Sequence, residues 1–217
     1  MHPFDRAVAF GIVYLPAAFP IHMKEKILKE FADSVSVKEM FVQTHIEVII
    51  DVAKAIATTF NDGGKVLLFG NGGSACDASH IAGEFVNRFK RERPGLPAIA
   101  LNTDIAVITS IANDYDFSEI FARQLKALAL EGDLVIAITT SGASPNVLRA
   151  LDAARKKRLK TVLLTGAKGD KLAGKVTYAF VVPSDNTPRV QETHITLGHV
   201  LCLLVEEILF EEPRKKK

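Results

Sequence analysis

Five short runs of residues, each apolar almost throughout, alternate along this chain with longer segments of helical pattern. The runs span residues 65–69, 97–101, 133–139, 160–165 and 178–182. A strand that is apolar at successive positions is buried on both faces, because successive side chains point to opposite sides of a sheet. Strands of this kind that alternate with helices predict right-handed crossovers and a doubly wound, five-stranded parallel sheet within an α/β three-layer sandwich.

The intervening segments have the periodicity of helices. The predicted helices span residues 23–60, 74–89, 104–112, 117–129, 145–157 and 188–210. In the first of them, apolar residues recur at spacings of three, four and seven, as they do on one face of a helix. The last is apolar on nearly all sides from Ile195 to Leu204, which indicates that it is covered on more than one side. We expect a second subunit to cover part of it.

The chain length predicts one domain. A chain of 217 residues, 48% of them hydrophobic, can bury a substantial core. We expect residues 23–217 to form a single domain and residues 1–22 to be an N-terminal extension with no part in the chemistry. Residues 7–19 are nearly all apolar, but Gly11 and Pro16 interrupt them. This segment is too short to span a bilayer and lacks the basic start and cleavage site of a signal peptide.

The charges and the cysteines argue against several classes of function. The formal net charge is +2, and acidic and basic residues are interspersed up to the C-terminal tail. This pattern does not resemble the basic stripe of a nucleic-acid-binding protein. Cys76 and Cys202 lie far apart in predicted helices, which is typical of reduced thiols in a cytoplasmic protein. We expect neither a nucleic acid nor a membrane as a partner.

Two predicted strands lead directly into helices through turns that could bind a phosphate. The turns are residues 70–74, Gly-Asn-Gly-Gly-Ser, and residues 139–145, Thr-Thr-Ser-Gly-Ala-Ser-Pro. Both combine glycines, which permit close approach of the backbone, with hydroxyls and a helix N-terminus, which suit an anionic ester. Neither has the lysine of a Walker A loop or the third glycine of a dinucleotide fingerprint. The alternative is that Ser74 and Ser144 are only helix N-caps.

The second predicted helix carries polar side chains that could bind a metal or move a proton. His80 and Glu84 are four residues apart and share one face, with Arg88 one turn further along. The alternative for this stripe is a set of ion pairs that faces solvent.

The last predicted helix carries a second group of such side chains. Gln191 and His199 are offset by about 80° around the helix, so they can converge on one ligand only loosely. His194 lies about 140° from His199, which makes it improbable that both histidines belong to one site. A lone histidine on an apolar helix is more often a core residue with satisfied hydrogen bonds than a ligand, and this is one interpretation of His194.

Five sequence runs give the chain its resemblance to a known family. They are Gly70-Asn-Gly-Gly-Ser-Ala, Arg93-Pro-Gly-Leu-Pro-Ala-Ile-Ala-Leu, Ile111-Ala-Asn-Asp-Tyr, Thr140-Ser-Gly-Ala-Ser and Arg189-Val-Gln-Glu-Thr-His. In this order and spacing, the chain from Gly70 to Phe210 resembles the phosphoheptose isomerase family. The resemblance implies the flavodoxin-like sugar isomerase (SIS) fold, a phosphorylated sugar as substrate, and a homotetramer with active sites near subunit interfaces.

The same resemblance implies roles for individual residues. The implied ligands of one Zn²⁺ per subunit are His80, Glu84, Gln191 and His199. The implied phosphate contacts are Ser74, Thr139, Thr140, Ser141 and Ser144. The implied sugar contacts are Asn71, Gly72, Gly73, Arg88, Asn113, Asp114 and Gln191. Glu84 is the implied catalytic base and His199 the implied catalytic acid. The chain departs from the family at Thr139, where serine is usual, and at Ala143, which replaces a common asparagine.

The reaction that the resemblance implies is a 1,2-proton shift through an enediolate. It would convert sedoheptulose 7-phosphate to D-glycero-D-manno-heptose 7-phosphate, for the synthesis of ADP-heptose and lipopolysaccharide. One alternative is a non-catalytic relative of the same fold that binds the DnaA replication initiator, and another is a phosphosugar-sensing regulator. The first of these branches lacks the glutamate and the last histidine that this chain keeps as Glu84 and His199. An adaptor has no need of an acid and a base, so these residues favour an enzyme.

Overall fold

The five apolar runs form one parallel sheet, as predicted. The computed structural model describes residues 20–210. Its strands are β1 (Val66–Gly70), β2 (Ala98–Ala100), β3 (Leu134–Thr139), β4 (Lys160–Gly166) and β5 (Tyr178–Val182). All neighbouring strands are parallel, and their order across the sheet is β2-β1-β3-β4-β5. The direction of winding therefore reverses between β1 and β3, and ligands of such sheets bind at this point, beyond the carboxyl ends of the strands.

The helical segments also lie where the sequence predicts them, with small shifts at their ends. The helices are α1 (Pro20–Asn61), α2 (Gly73–Val86), α3 (Ile105–Asp114), α4 (Ile120–Leu128), α5 (Pro145–Lys156) and α6 (Thr187–Phe210). Two 3-10 segments, Phe117–Glu119 and Ala167–Lys175, precede α4 and β5 respectively. Of the expected extension 1–22, residues 1–19 lie outside the described part of the chain, and the last three residues begin α1.

The three central strands, β1, β3 and β4, supply side chains to two cores, one on either face of the sheet, whereas β2 and β5 at the edges supply only one of them. In β1, Val66 and Leu68 pack with α1, α2 and α6, whereas Leu67 and Phe69 pack with α3, α4 and α5. All four side chains are completely buried, and burying an apolar side chain of this size stabilises a fold by about 1.5–3 kcal/mol. The result is the predicted three-layer sandwich.

Helix α6 is long enough and apolar enough to cross a membrane, with a mean hydropathy of 1.5 over 18 residues. In this structure it is a core helix that packs against α1 and α2. Its residues Val190, Leu197, Leu201 and Val205 lie in the core on that side of the sheet. The apolar pattern of α6 therefore reflects burial in its own domain, and cover by a second subunit stays a prediction.

Helix α2 ends earlier than predicted, at Val86 rather than Phe89. The amide N–H groups of residues 89–91 donate instead to the carboxylate of Glu206, at 2.9 to 3.1 Å. These long-range hydrogen bonds replace the local ones that would continue the helix. Arg88 consequently lies outside α2, so the prediction that it continues the helical face of His80 and Glu84 is wrong.

His194 lies in the core, but its hydrogen bonds are not satisfied. The side chain is completely buried, and neither ring nitrogen has a hydrogen-bond partner among residues 20–210. Burial lowers the pKa of His194 from 6.5 to about 4, although the polar backbone of Thr165, which lies near the ring without forming a regular hydrogen bond, acts in the opposite direction. The interpretation of His194 as a core residue is confirmed, whereas the expectation of satisfied hydrogen bonds is wrong.

Candidate active site

The two predicted phosphate loops lie side by side at the carboxyl edge of the sheet. Gly70, the last residue of β1, is in register with Ile138 near the end of β3. The first loop leads into α2 and the second into α5. Both helices therefore direct their N-terminal amides, which carry partial positive charge, toward the same edge. This is also where the winding of the sheet reverses.

Gln191 of α6 lies directly against the first loop. A Cβ atom placed on Gly73 would come within 2.5 Å of Gln191 Nε2, which is closer than a side-chain carbon can lie. Glycine at this position therefore permits the amide of Gln191 to approach the backbone of the loop. The structure thus brings a residue from the last helix to the turn that follows the first strand.

The second loop makes a comparably close approach to the segment after β4. Gly142 has a φ of +62°, and a Cβ there would lie 2.4 Å from the Cα of Gly169. The hydroxyls of the loop are held near one another: Thr139 Oγ1 and Ser144 Oγ are 3.5 Å apart, and Ser141 Oγ accepts the N–H of Ala143 at 3.2 Å. Glycine at 142 fixes the path of a turn that is rich in hydroxyls.

The alternative that Ser74 and Ser144 are helix N-caps is wrong for Ser74 and correct for Ser144 in position only. Ser144 occupies the N-cap position of α5, but its side chain makes no capping hydrogen bond. In α2 the N-cap is Gly72, and Ser74 lies inside the first turn, where it is buried. Neither hydroxyl caps the N-terminus of its helix, so both retain their capacity to contact a ligand at the loops.

An amide pair that the sequence reasoning missed joins the two loops. Asn71 Nδ2 donates to Asn146 Oδ1 at 2.9 Å, and Asn146 Nδ2 donates to Asn71 Oδ1 at 2.8 Å. Asn146 lies in the first turn of α5, is 2% exposed and also accepts the N–H of Val147. A polar residue directly after the Ser-Pro of the second loop was the available signal. The pair fixes the spacing of the loops.

A cluster of ionisable side chains lies between α2 and α6. His80 Nε2 and Glu84 Oε1 are 3.1 Å apart, and the rings of His80 and His199 meet edge to face with centroids 5.0 Å apart. The His199 ring is also stacked on Phe89, with centroids 5.5 Å apart. The alternative of an exposed ion pair is correct in part, since the His80 side chain is 49% exposed. His199, however, converts the pair into a cluster of three.

The cluster has the chemistry of a metal site. One potential ligand atom from each of His80, Glu84 and His199 lies within 4.8 Å of the other two. Two imidazoles and a carboxylate are common zinc ligands in proteins, at about 2.0–2.2 Å from the ion. Ligands at that distance lie at most about 4.4 Å apart, so small rotations of the side chains would bring all three onto one ion. The three residues therefore fit a divalent metal.

Asp77, which the sequence analysis passed over, lies one turn before His80 on α2. The residue is half-buried, and its buried oxygen Oδ2 has no hydrogen-bond partner among the described residues. Burial raises the pKa of Asp77 from 3.8 to about 6, and the attraction of His80 acts in the opposite direction. A carboxyl group with a raised pKa beside a cluster of histidines is typical of functional sites.

Three predicted sugar contacts form no hydrogen bond or ion pair with this region among the described residues. Arg88 is exposed and forms an ion pair with Glu92 at 3.5 Å, while Asn113 donates to its neighbour Asp114 at the end of α3. None of the hydrogen bonds or ion pairs found among residues 20–210 joins these side chains to either loop or to the histidine cluster.

A separate cleft of about 1120 Å³ opens between α5 and the 3-10 segment Ala167–Lys175. It meets the second loop only at Gly142 and Ala143, and it includes none of the histidines or glutamates described above. We therefore place the candidate active site at the two loops and the cluster rather than in this cleft, because among the described residues anion-binding groups and proton-transfer groups occur together there.

Comparisons with known proteins show the family to which the chain is related. The model of the SIS domain family matches residues 30–166. The chain is 64% identical to a phosphoheptose isomerase of Thermodesulfovibrio yellowstonii over 91% of this chain and 98% of that protein. It is 55% identical to one of Aquifex aeolicus over 87% of this chain and 99% of that protein. Among solved structures, a phosphoheptose isomerase of Francisella tularensis superposes with a TM-score of 0.82 at 39% identity, covering 85% of this chain and 98% of that chain.

Proposed function

Because this chain belongs to the phosphoheptose isomerase family of SIS-domain proteins, we propose that it converts sedoheptulose 7-phosphate to D-glycero-D-manno-heptose 7-phosphate. The chain is an aldose–ketose isomerase of this family. The observation that carries the proposal is the position of the His80–Glu84–His199 cluster, on the helix that begins at one phosphate loop and on the helix that contacts that loop. An acid, a base and an anion site are thus within reach of one small sugar.

The phosphate of the substrate binds at the two loops. Their hydroxyls, on Ser74, Thr139, Thr140, Ser141 and Ser144, supply hydrogen-bond donors. The N-termini of α2 and α5 add backbone N–H groups and partial positive charge, which stabilise a dianionic ester. The amide of Asn71, the backbone of Gly72 and Gly73, and the amide of Gln191 then contact the sugar chain.

The cluster carries out the proton transfers. Glu84 takes a proton from C1 of the ketose while His199 donates one to the C2 oxygen, which gives an enediol. Glu84 then returns its proton to C2, and His199 recovers a proton from the C1 oxygen, so the atoms of the sugar are conserved and the carbonyl has moved to C1. Glu84 Oε1 faces His80, which leaves Oε2 as the oxygen that abstracts the proton.

We propose that His80, Glu84, Gln191 and His199 bind one Zn²⁺ per subunit. Its contribution would be Lewis acidity toward the oxygens on which negative charge develops. The support for the site is the donor set of the cluster, and the amide of Gln191 lies against Gly73, the first residue of the helix that carries His80 and Glu84.

The protein functions as a homotetramer in the cytoplasm. The exposed apolar side chains of α1 support an assembly, because they form an apolar surface on a single chain; they include Met23, Ile27, Leu28, Phe31 and Val35. We assign the exposed Arg88, Asn113 and Asp114 to sugar binding in sites completed near subunit interfaces.

Residues 1–22 form an extension outside the chemistry, which is supported by a match of 197 residues that covers 98% of the Thermodesulfovibrio relative.

Incubation with sedoheptulose 7-phosphate, followed by chromatographic separation of the heptose phosphates, tests this function directly. We expect a product of unchanged mass with an aldehyde in place of the ketone. The matched control is fructose 6-phosphate, a shorter ketose phosphate that the loops could bind through the same ester. If only the shorter sugar reacts, the substrate assignment is wrong, and if neither reacts, the isomerase assignment is wrong.

A further inference from the structure

A buried ion pair lies behind the candidate cluster. Arg93 Nε donates to Glu206 Oε1 at 2.8 Å, and both side chains are 1% exposed. A buried ion pair is weak evidence for stability, because the loss of hydration offsets much of the attraction between the charges. Its role must therefore be sought in what the two side chains hold in place.

The carboxylate of Glu206 organises the loop that follows α2. Oε1 accepts the N–H of Phe89 at 2.9 Å, and Oε2 accepts the N–H groups of Lys90 and Arg91 at 2.9 and 3.1 Å. With Arg93 this makes four donors on one carboxylate. Burial raises the pKa of Glu206, but the hydrogen bonds from the backbone and from Arg93 lower it more, and the net shift is downward. The group is therefore ionised at neutral pH.

The guanidinium of Arg93 organises the last turn of α2. Nη2 donates to the backbone oxygen of Glu84 at 2.8 Å, and Nη1 donates to that of Phe85 at 2.8 Å. These oxygens belong to the end of the helix, where carbonyl groups have no partner within the helix. Arg93 thus satisfies them and fixes the backbone of the residue that carries the proposed base.

The same two side chains reach the proposed acid. Glu206 follows His199 on α6 by about two helical turns, so both project from the same face. Phe89, whose N–H is held by Glu206, stacks on the His199 ring. The ion pair therefore joins the backbone under Glu84 on α2 to the helix that carries His199.

We propose that Arg93 and Glu206 are positioning residues that set the separation of Glu84 and His199, an inference that rests on the isomerase function proposed above. None of their hydrogen bonds among the described residues reaches either phosphate loop. Their loss should lower kcat and leave KM nearly unchanged, because the proton transfers depend on the separation of the acid and the base whereas phosphate binding does not.

The chain offers a matched control at the opposite edge of the sheet. Asp133 is also a buried carboxylate, with a side chain 2% exposed. It accepts the N–H groups of Lys65 and Leu130 at 2.9 and 2.7 Å and pairs with Lys65 Nζ at 2.7 Å. Asp133 precedes β3, at the amino end of the strands, so its loss should affect stability without affecting the cluster.

The test compares Glu206→Gln and Arg93→Lys with Asp133→Asn, each assayed well below its own Tm. We expect kcat to fall about 10- to 100-fold in the first two, as for other residues that orient catalytic groups, with KM changed less than about 3-fold. Asp133→Asn should lower Tm and keep kcat. Lysine retains the charge of Arg93 but cannot hold two carbonyl groups and a carboxylate with a planar fork. Because the charge is retained, Arg93→Lys should stay folded. It therefore still tests the proposal if Glu206→Gln does not fold.

Amide hydrogen exchange provides a second readout that does not require turnover. In Glu206→Gln the amides of residues 89–91 should exchange faster, while those of β1 and β3 keep their protection. If the wild-type protein is inactive and Glu206→Gln nevertheless shows this exchange pattern, the proposed function is wrong and the positioning role is not. Wild-type kcat in Arg93→Lys, a fall in kcat no larger than in Asp133→Asn, or unchanged exchange at residues 89–91 would overturn the positioning role.

Discussion

Asn71 and Asn146 exchange two amide hydrogen bonds, at 2.9 and 2.8 Å, across the gap between the two loops that follow β1 and β3. One residue belongs to the first loop, and the other lies in the first turn of the helix after the second. The pair thus fixes the distance between two turns that lie far apart in the sequence. If both turns bind one phosphorylated sugar, this distance determines the shape of the anion site.

Replacing Asn146 by Ala should weaken substrate binding. The change removes both amide hydrogen bonds and leaves Asn71 unpaired, which costs about 1–3 kcal/mol. We expect KM for sedoheptulose 7-phosphate to rise about 10-fold, since about 1.4 kcal/mol corresponds to a factor of ten, with a smaller change in kcat. Steady-state kinetics measures the effect. The control is Asn61→Ala, at the exposed end of α1, and equal KM values in the two variants would contradict the role of the pair.

Glu84→Gln should abolish turnover and preserve the fold. Glutamine has nearly the same shape but cannot accept a proton from carbon, and removing a general base lowers kcat by about 10²- to 10⁴-fold. Circular dichroism should be unchanged, and binding of the unreacted sugar phosphate, measured by calorimetry, should persist. The exposed Glu131, in the turn before β3, supplies the control Glu131→Gln. Turnover by Glu84→Gln at the wild-type rate would remove Glu84 from the mechanism.

Protein purified without chelator should contain zinc near one ion per subunit. The expectation follows from the ligand atoms of His80, Glu84 and His199, which lie within 4.8 Å of one another. Mass spectrometry with an inductively coupled plasma source measures the content. His80→Ala should lose most of the metal, because one imidazole ligand is removed, whereas His22→Ala, at an exposed position on α1, should keep it. Full activity in metal-free protein would contradict the proposed zinc role.

His194→Leu should flatten the dependence of stability on pH. The folded pKa of His194 is lowered from 6.5 to about 4, so the unfolded chain binds more protons between these values. Stability is therefore fully present above pH 6.5 and is lost as the pH falls, by up to about 3 kcal/mol near pH 4. Urea unfolding at pH 4.5 and 7.5 should show a smaller difference in the leucine variant. An equal difference in both proteins would mean that His194 does not titrate as described.

A chain that begins at Met23 should have the kcat and KM of the full-length protein. This follows from the proposal that residues 1–22 take no part in the chemistry. Kinetics of the truncated and full-length proteins, measured at the same temperature below both Tm values, makes the comparison. A loss of activity that accompanies a normal fold would assign the extension a function.

The fold could be predicted because its signals are local. Residues 133–139 and 160–165 are apolar at nearly every position, and this pattern suffices to predict strands buried on both faces. The two loops could be found for a similar reason, since each combines glycine, hydroxyl groups and a following helix within a few residues.

The departures from the predictions come from contacts between distant residues. Helix α2 stops at Val86 because Glu206, far along the chain, accepts the amides that follow. Periodicity cannot indicate such a partner. Asn146 was missed for the same reason, since its significance depends on Asn71 on another loop. The interpretation of His194 failed on its hydrogen bonds, because satisfaction of a buried ring depends on neighbours that a single helical pattern does not reveal.

Helix α6 carries Gln191, His199 and Glu206 on one unbroken segment. Adding or deleting a single residue between the first and the last of them would rotate everything beyond that point by about 100° and displace it by about 1.5 Å. The number of residues from 191 to 206 is therefore constrained by the site, because one insertion would take Glu206 away from Arg93 or Gln191 away from Gly73.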